Sequence, residues 1–305
     1  MLVSAIPLLS RARRYRYAVP AFNVNNLETL RAIMQAALEM RSPVIVQTSE
    51  GAVHYAGMDM LIAMIRIAAT TKVPVVMHLD HGKDLAIIRQ AIRSGYTSVM
   101  FDGSSLSYKE NVNTTRKVIG WARTHRVSVE AELGVLAGIE DFVSVADKNA
   151  ALTDPVEAAA FVAATECDSL AIAIGTSHGA YKFKENSHLD IDRLRIIAET
   201  VKIPLVLHGA SGVMENVVQL AEHYGAKIGE ARGVLDADVS AAIKHGIAKI
   251  NIDTDLRLAF TAGVREAVAD LPKVIDPRKL MEPALILMRE VAKRKMRLFK
   301  SAGRA

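Results

Sequence analysis

The sequence predicts an α/β fold, namely one (β/α)8 barrel over residues 1–305 with extra helices at its two termini. Short apolar runs alternate with stretches of helical periodicity about eight times along the chain. The runs are apolar throughout, which is typical of parallel strands buried on both faces. No linker-like segment interrupts the alternation, so a single domain of the TIM-barrel class is expected.

The predicted strands cover residues 19–22, 44–47, 73–77, 98–101, 127–131, 170–174, 205–207 and 248–252. An open doubly wound sheet would show the same alternation, but it would place a glycine-rich dinucleotide-binding turn after its first strand. Residues 23–26 read Asn-Val-Asn-Asn and contain no glycine. The closed barrel is therefore favoured.

The predicted helices are recognised by apolar residues three and four apart and by their end signals. Residues 27–38 carry one apolar stripe, and residues 84–94 end at Gly95, a common helix terminator. Residues 153–157 open another helix with a capping residue and a first-turn proline. Further helices are expected at 190–200, 213–223, 236–245 and 256–268, and one at each terminus.

Composition excludes several classes of protein. Half of the 305 residues are hydrophobic and 23% are charged, which argues against disorder and against a coiled coil. The single cysteine, Cys167, excludes an intrachain disulfide and favours a reducing, cytoplasmic compartment. No apolar run reaches the roughly 18 residues of a membrane helix, so no membrane partner is expected. Residues 1–27 hold four arginines and no acid, but a mature N-terminal helix is favoured over a targeting peptide.

The net charge of +5 belongs to the C-terminal segment, because residues 289–305 hold seven basic side chains and one acid. The chain shows no helix-turn-helix, zinc knuckle or basic stripe interleaved with aromatic residues. We therefore expect no nucleic-acid partner, and we predict that the segment is a solvated helix.

Three histidines stand at or just after the predicted carboxyl ends of strands, where barrel enzymes carry their chemistry. His81 lies in the polar residues that follow the apolar run of the third strand, His178 follows the sixth strand and His208 follows the seventh. Three neutral imidazoles leave one position open on a catalytic Zn²⁺, and open coordination lets the metal act as a Lewis acid. For each histidine taken alone, a structural hydrogen-bonding role stays open.

Carboxylates accompany these histidines. Asp80 is adjacent to His81 and is suited to proton transfer or to orienting a ligand. Asp102 ends the fourth strand, while Glu130 and Glu132 end the fifth and point to one side because side chains alternate along a strand. These groups could orient metal ligands, form another metal position or make salt bridges.

Two loops have the composition of a phosphate site. Residues 209–212 read Gly-Ala-Ser-Gly after the seventh strand, and residues 251–254 read Asn-Ile-Asp-Thr before a helix. In barrels, phosphate is frequently bound by these two loops and a helix N-terminus.

Eight blocks spread along nearly the whole chain read VPAFNVNNLE, PVIVQTSEGA, VPVVMHLDHG, VMFDGS, VEAELG, AIAIGTSHGAYKF, PLVLHGASG and KINIDTDLRLAF. In order and spacing these blocks resemble the class II, metal-dependent fructose-bisphosphate aldolases. The resemblance implies reversible cleavage of fructose 1,6-bisphosphate into dihydroxyacetone phosphate and glyceraldehyde 3-phosphate by a homodimer or homotetramer. Tagatose 1,6-bisphosphate is the alternative substrate.

The resemblance also implies roles by position. His81, His178 and His208 match the zinc ligands, while Asp102 and Glu132 match positions that hold a second or displaced divalent ion. Asp80 is similar to the catalytic acid/base. Glu140 falls where the family has a mobile-loop glutamate that abstracts a proton, although here the context is Gly-Ile-Glu-Asp rather than a Glu-Glu pair.

The positions that the resemblance assigns to substrate are Asn23, Ser49, Gly179, Gly209, Ala210, Ser211, Asn251, Ile252, Asp253, Thr254 and Arg257. The family often also binds Na⁺ or K⁺ beside the phosphate loops. Asp253 resembles the residue that reads the C4 hydroxyl of the fructose ester, and Arg257 the arginine that binds the distal phosphate. The resemblance therefore favours fructose over tagatose 1,6-bisphosphate.

Three other functions need different features. A Schiff-base aldolase needs a lysine projecting from a strand, whereas Lys182 and Lys184 lie on a loop after the sixth strand. Metal-dependent barrel hydrolases usually open with His-x-His on the first strand, where this chain has Phe22 and Asn23. A non-catalytic metal- or sugar-phosphate-binding barrel would not need the acid position that this chain keeps.

Overall fold

In a computed structural model of the chain, the described residues are 1–135, 137–140, 143–145, 151–178, 189–229 and 233–305. For residues 137–140, 143–145 and 178 the description covers the backbone alone.

Eight parallel strands close into a barrel, as the sequence predicts. They are β1 (Val19–Asn23), β2 (Val44–Ser49), β3 (Val75–Gly82), β4 (Ser98–Phe101), β5 (Ser128–Leu133), β8 (Ser169–Ile172), β10 (Leu205–Leu207) and β11 (Ile247–Ile252). Their order around the barrel is β1-β11-β10-β8-β5-β4-β3-β2. The strands β6 (Ala137–Glu140), β7 (Val143–Val145) and β9 (Ser177–His178) form a separate sheet in the order β7-β6-β9.

Helices surround the barrel and close its amino end. They are α1 (Ala5–Tyr15), α2 (Leu27–Met40), α3 (Glu50–Ala56), α4 (Met58–Ala68), α5 (Leu85–Ser94), α6 (Tyr108–Arg123), α7 (Pro155–Thr165), α8 (Ile191–Thr200), α9 (Glu215–His223), α10 (Asp236–Lys244), α11 (Thr254–Asp270), α12 (Pro277–Leu280) and α13 (Glu282–Leu298). The predicted end signals are confirmed: Asp154 caps α7 ahead of Pro155, and Gly95 ends α5 in the left-handed region. None of the helices in the described ranges is long and apolar enough to cross a membrane.

The third strand is longer at its carboxyl end than predicted. It runs to Gly82, so Asp80 and His81 belong to the strand itself, and Ser49 pairs with Asp80 in the β2–β3 register. A hydrophobicity pattern stops at residue 77 because polar side chains follow. Those side chains are hydrogen-bonded at the mouth of the barrel, where strand structure does not require an apolar residue.

The helix predicted over 213–223 begins two residues later, at Glu215. Val213 has φ of 47°, in the left-handed region, where a β-branched residue is a genuine outlier. The backbone from Gly209 to Val213 therefore forms a loop with a defined conformation and does not belong to the first turn of the helix.

The prediction of a solvated C-terminal helix is wrong for one face of α13. That helix packs against α2 and α11, with Met288, Val291 and Met296 buried. Its apolar residues recur at helical spacing, and the basic residues between them conceal the stripe in a simple charge count. Even Lys295 is buried.

The amino end of the barrel is closed by α1. Leu8, Leu9 and Ala12 pack on inward-facing side chains of the strands, among them Val19 and Ile45. The predicted N-terminal helix is thus confirmed. Because this end is filled with apolar side chains, the chemistry belongs at the carboxyl end.

Candidate active site

Two of the predicted metal ligands meet at the carboxyl end of the barrel. Nε2 of His81 lies 2.8 Å from Nδ1 of His208, and the rings are 4.6 Å apart in an edge-to-face arrangement. Ligand atoms of Asp80, His81 and His208 all lie within 4.8 Å of one another. His81 has φ of 45°, which is uncommon for a residue with a side chain. The strand end is thus shaped to turn this imidazole toward its partner.

A second group of ligand atoms surrounds the other nitrogen of His81. Nδ1 lies 3.1 Å from Oδ2 of Asp102 and 3.7 Å from Oε2 of Glu132. Burial raises the pKa of Asp102, but the hydrogen bond and charge of His81 and the charge of Lys83 outweigh it and hold the pKa well below its usual range. Asp102 is therefore an ionised carboxylate, the form that binds a cation.

Beneath His208 lies a buried chain of polar groups. Nε2 of His208 lies 2.8 Å from Oε1 of Glu130, and Nζ of Lys249 donates to Oε2 of Glu130 at 2.7 Å. Lys249 also lies 3.2 Å from Nε2 of His78. Burial raises the pKa of Glu130, but Lys249 and His208 hold it well below the usual range. An ionised Glu130 accepts the Nε2 proton of His208, which leaves the Nδ1 lone pair facing the site.

Two histidines in this buried group of polar side chains, His78 and His208, are neutral. Burial lowers the pKa of His208, and the charge of His81 lowers it further. Burial and the charge of Lys249 place the pKa of His78 well below its ordinary value. A neutral imidazole is the form that coordinates a metal, so His208 is prepared for that role by its surroundings.

Lys249 and Gln47 take part in the site, and sequence reasoning did not identify either of them. The signal was present, because each is a long polar residue in the middle of an apolar strand. Lys249 is a lysine projecting from a barrel strand, the feature that a Schiff-base aldolase needs. Lys249 is 1% exposed and its Nζ is ion-paired with Glu130, so this lysine is not placed to attack a substrate carbonyl.

Asp80 is held by three amides. Its Oδ2 accepts from Nδ2 of Asn23 and from Nε2 of Gln47, both at 2.9 Å, and its Oδ1 accepts from Nδ2 of Asn251 at 3.0 Å. The carboxylate is 1% exposed and belongs to the same cluster as His81 and His208. The surrounding amides fix its orientation toward that cluster.

The two predicted phosphate loops are linked to each other. Gly209 has φ of 60°, and a Cβ there would lie 2.6 Å from the carbonyl oxygen of Ser177, so the position requires glycine. The N–H of Gly212 donates to Oδ2 of Asp255 at 2.9 Å. Asp255 lies in the first turn of α11, directly after residues 251–254. Ala210 and Ser211 are buried, and Ile252 ends strand β11.

An open cavity of about 640 Å³ adjoins the site. Asn23, which also binds Asp80, is one of its lining residues, together with Asp253 and Arg257. Asp253 and Arg257 form an ion pair at 2.7 Å, and the arginine side chain is 52% exposed. Ser49 is buried at the start of α3, where its Oγ accepts from the N–H of Ala52.

Three predicted residues fall wholly or partly outside the description. Gly179 lies outside the described residues, and for His178 and Glu140 only the backbone is described. That backbone places Glu140 and His178 on paired strands, because β6 and β9 run parallel with Gly138 opposite His178.

The whole length of the chain is similar to proteins that share one description. Residues 3–304 match the family model for class-II fructose-bisphosphate aldolase. The fructose-bisphosphate aldolase of Thermus caldophilus is 50% identical over 305 residues, and that of Helicobacter pylori is 43% identical over 306, each alignment covering 100% of both chains. The solved structure of the YdjI aldolase from Escherichia coli has a TM-score of 0.81 and 33% identity, covering 100% of both chains.

Proposed function

The chain belongs to the class II fructose-bisphosphate aldolase family, and on that premise we propose that it cleaves fructose 1,6-bisphosphate reversibly into dihydroxyacetone phosphate and glyceraldehyde 3-phosphate. The observation that carries the proposal is the convergence of Asp80, His81 and His208 at the open end of the barrel. A proton-transfer group there lies beside two imidazoles that can hold a metal. Full-length relatives named for this substrate support fructose over tagatose 1,6-bisphosphate.

The family depends on a metal, and the donor set of the site fits a divalent cation. Two imidazole nitrogens and the carboxylate of Asp80 converge, and the carboxylates of Asp102 and Glu132 lie on the far side of His81. We propose Zn²⁺ on His81, His178 and His208, since imidazole ligands suit that ion. When bound, the ion supplies Lewis-acid stabilisation of negative charge in the transition state.

Asp102 and Glu132 would hold a second or displaced divalent ion. His81 lies between the two groups, with Nε2 facing His208 and Nδ1 facing the two carboxylates. A monovalent cation beside the phosphate loops belongs to the same proposal.

Asp80 and Glu140 would move the protons. In cleavage, Asp80 takes the proton of the C4 hydroxyl as the C3–C4 bond breaks and the aldehyde forms. Glu140 then gives a proton to C3 of the three-carbon fragment, which leaves as dihydroxyacetone phosphate. The amides of Asn23, Gln47 and Asn251 keep Asp80 oriented for this transfer.

The two phosphate groups of the substrate would bind at two different places. Loop N–H groups between Gly209 and Gly212 and the N-terminus of α11 suit one phosphate. Arg257, in the adjoining cavity, suits the other, with Asp253 beside it to contact the C4 hydroxyl. Ser49, Gly179, Ile252 and Thr254 complete the proposed substrate contacts. We also propose a homodimer or homotetramer in the cytoplasm.

The test is a coupled cleavage assay on fructose and tagatose 1,6-bisphosphate, each with a chelator and with zinc added back. The proposal requires cleavage of the fructose ester that the chelator abolishes and zinc restores. A preference for the tagatose ester would contradict the role of Asp253 and keep the mechanism. Cleavage that resists the chelator would overturn the metal site and make Lys249 the lysine to test.

A further inference from the structure

One side chain of the basic C-terminal segment is buried far from solvent. Lys295, on α13, is 2% exposed, and its Nζ lies 2.9 Å from Oδ2 of Asp255 on α11. Both side chains of this ion pair are almost completely buried. A lysine is almost never fully buried unless it is paired, so the burial of Lys295 depends on its ion pair with Asp255.

The ion pair stands directly behind the loop of residues 209–212. Oδ2 of Asp255, the atom that Lys295 binds, also accepts the N–H of Gly212 at 2.9 Å. A Cβ at position 212 would lie 2.9 Å from Nζ of Lys295. The lysine of the last helix therefore touches the back of the loop to which we assign a substrate phosphate.

The loop is also held by residues 233 and 234. The N–H of Val234 donates to the carbonyl oxygen of Ser211 at 3.1 Å, and a Cβ on Gly233 would lie 2.3 Å from the carbonyl carbon of Gly212. Val213, next in the chain, has φ of 47°. The loop is thus kept in one conformation, and the carboxylate of Asp255 is one of its anchors.

A carboxylate whose negative charge is not balanced is a poor anchor for a phosphate loop. A buried negative charge a few ångströms from a phosphate dianion repels it strongly, because little water screens the interaction. The positive charge of Lys295 opposes that repulsion, and the carboxylate still accepts the Gly212 N–H. Without the lysine, the carboxylate that holds the loop in place would also weaken the binding of an anion to that loop.

We propose that Lys295 is a positioning residue of the phosphate site: it neutralises Asp255, so that a carboxylate can anchor the loop of residues 209–212 without repelling the phosphate bound there. The inference rests on the proposed function, which assigns a phosphate to this loop. It also gives a role to the C-terminal helix, whose Lys295 contacts the loop.

Lys295 and Asp255 could act by balancing charge or only by holding α13 against α11, and the two roles predict different orders of phosphate affinity among variants. If the pair only pins α13 to α11, loss of either partner should disturb the loop similarly, and the double variant should be no better. If charge balance matters, Lys295→Met removes the positive charge that lies 2.9 Å from the carboxylate of Asp255, whereas Asp255→Asn removes the negative charge of that pair. An asparagine oxygen still accepts the Gly212 N–H in the second case.

The experiment measures the Kd of inorganic phosphate by calorimetry and the KM for fructose 1,6-bisphosphate in four proteins. They are the wild type, Lys295→Met, Asp255→Asn and the double variant. We expect Lys295→Met to weaken phosphate binding about tenfold or more and to raise KM more than it lowers kcat. Asp255→Asn should bind phosphate more tightly than the wild type and the double variant, and the affinity of the double variant should lie within about threefold of that of the wild type.

Lys293→Met is the matched control, because Lys293 lies on the same helix and pairs with Glu39. Its phosphate affinity should equal that of the wild type. Equal weakening in both single variants, or a double variant weaker than either, overturns the proposal. A wild type that binds no phosphate overturns it as well.

Two further comparisons test the proposal, one between Asp255→Asn and the double variant and one between phosphate binding and cleavage. If Lys295→Met does not fold, Asp255→Asn must bind phosphate more tightly than the double variant, and equal affinities overturn the proposal. Phosphate affinities in the expected order, in a wild type that does not cleave fructose 1,6-bisphosphate, would instead refute the proposed function.

Discussion

The two ends of this barrel are built from the same strands by opposite means. At the amino end, Val19, Ile45 and Val76 meet the apolar face of α1. At the carboxyl end, the buried side chains of Asp80 and His208 are polar, and each is hydrogen-bonded to groups from other strands. Apolar packing tolerates exchange among residues of similar volume, whereas a buried polar group depends on one particular partner. Substitutions at the amino end should therefore change stability, and those at the carboxyl end should change chemistry.

The largest effect is expected at Asp80. Asp80→Asn keeps the size of the side chain but removes the group that transfers the proton. We expect kcat for fructose 1,6-bisphosphate to fall by roughly 10²–10⁴-fold, with a melting temperature close to that of the wild type. Steady-state kinetics and thermal unfolding measure the two quantities. Asp192→Asn, at an exposed acid on α8, is the control. Retention of more than a tenth of the wild-type kcat would argue against Asp80 as the acid/base.

Lys249→Met tests the chain of polar groups below the site. It leaves Glu130 buried without its cation, which should lower the free energy of unfolding by about 3–5 kcal/mol. It should also weaken zinc binding by roughly 10–100-fold, because Glu130 orients His208. Denaturant titration and zinc titration give the two values.

The double variant Lys249→Met/Glu130→Gln separates these two consequences. It removes the unpaired charge, so we expect part of the lost stability to return while zinc affinity stays low. A double variant with wild-type zinc affinity would show that Glu130 does not orient His208.

Leu9→Ala tests the amino end. It opens a cavity under α1 and should lower the free energy of unfolding by about 2–4 kcal/mol, with kcat unchanged. The matched control is Ile6→Ala on the exposed face of the same helix, which should have little effect on stability. A large fall in kcat for Leu9→Ala, measured well below its melting temperature, would mean that the two ends are coupled.

The smallest effect concerns Cys167, which lies just before strand β8 and so near the amino end. Burial raises the pKa of its thiol to about 12, and the residue is 3% exposed. The thiolate is the reactive form, so the folded protein at pH 8 should resist an aromatic disulfide reagent and should keep its activity. In denaturant, one thiol per chain should react. Rapid reaction in the folded state would show that the amino half opens readily.

Much of the fold was predictable, because it follows from local chemistry. Alternating apolar runs and helix periodicity locate all eight barrel strands, and the carboxyl ends of parallel strands bring His81, His208 and Asp80 together in any such barrel. The wrong predictions concern three places where the local pattern is interrupted. Strand β3 continues through polar residues, and the buried stripe of α13 lies among basic residues. Helix α9 begins two residues after its predicted start, because Val213 has a left-handed backbone conformation.

By itself, the sequence determined the barrel, its open end and the residue types gathered there, since periodicity and strand-end position act over a few residues. Only the tertiary structure decided the charge partners. Lys249 binds Glu130 across 119 positions, and His208 meets His81 across 127. Which buried charge balances which depends on what lies next to it in space. In the sequence, Lys249 is therefore only an unexpected polar residue within an apolar strand, and Lys295 is one of several basic residues in the C-terminal segment.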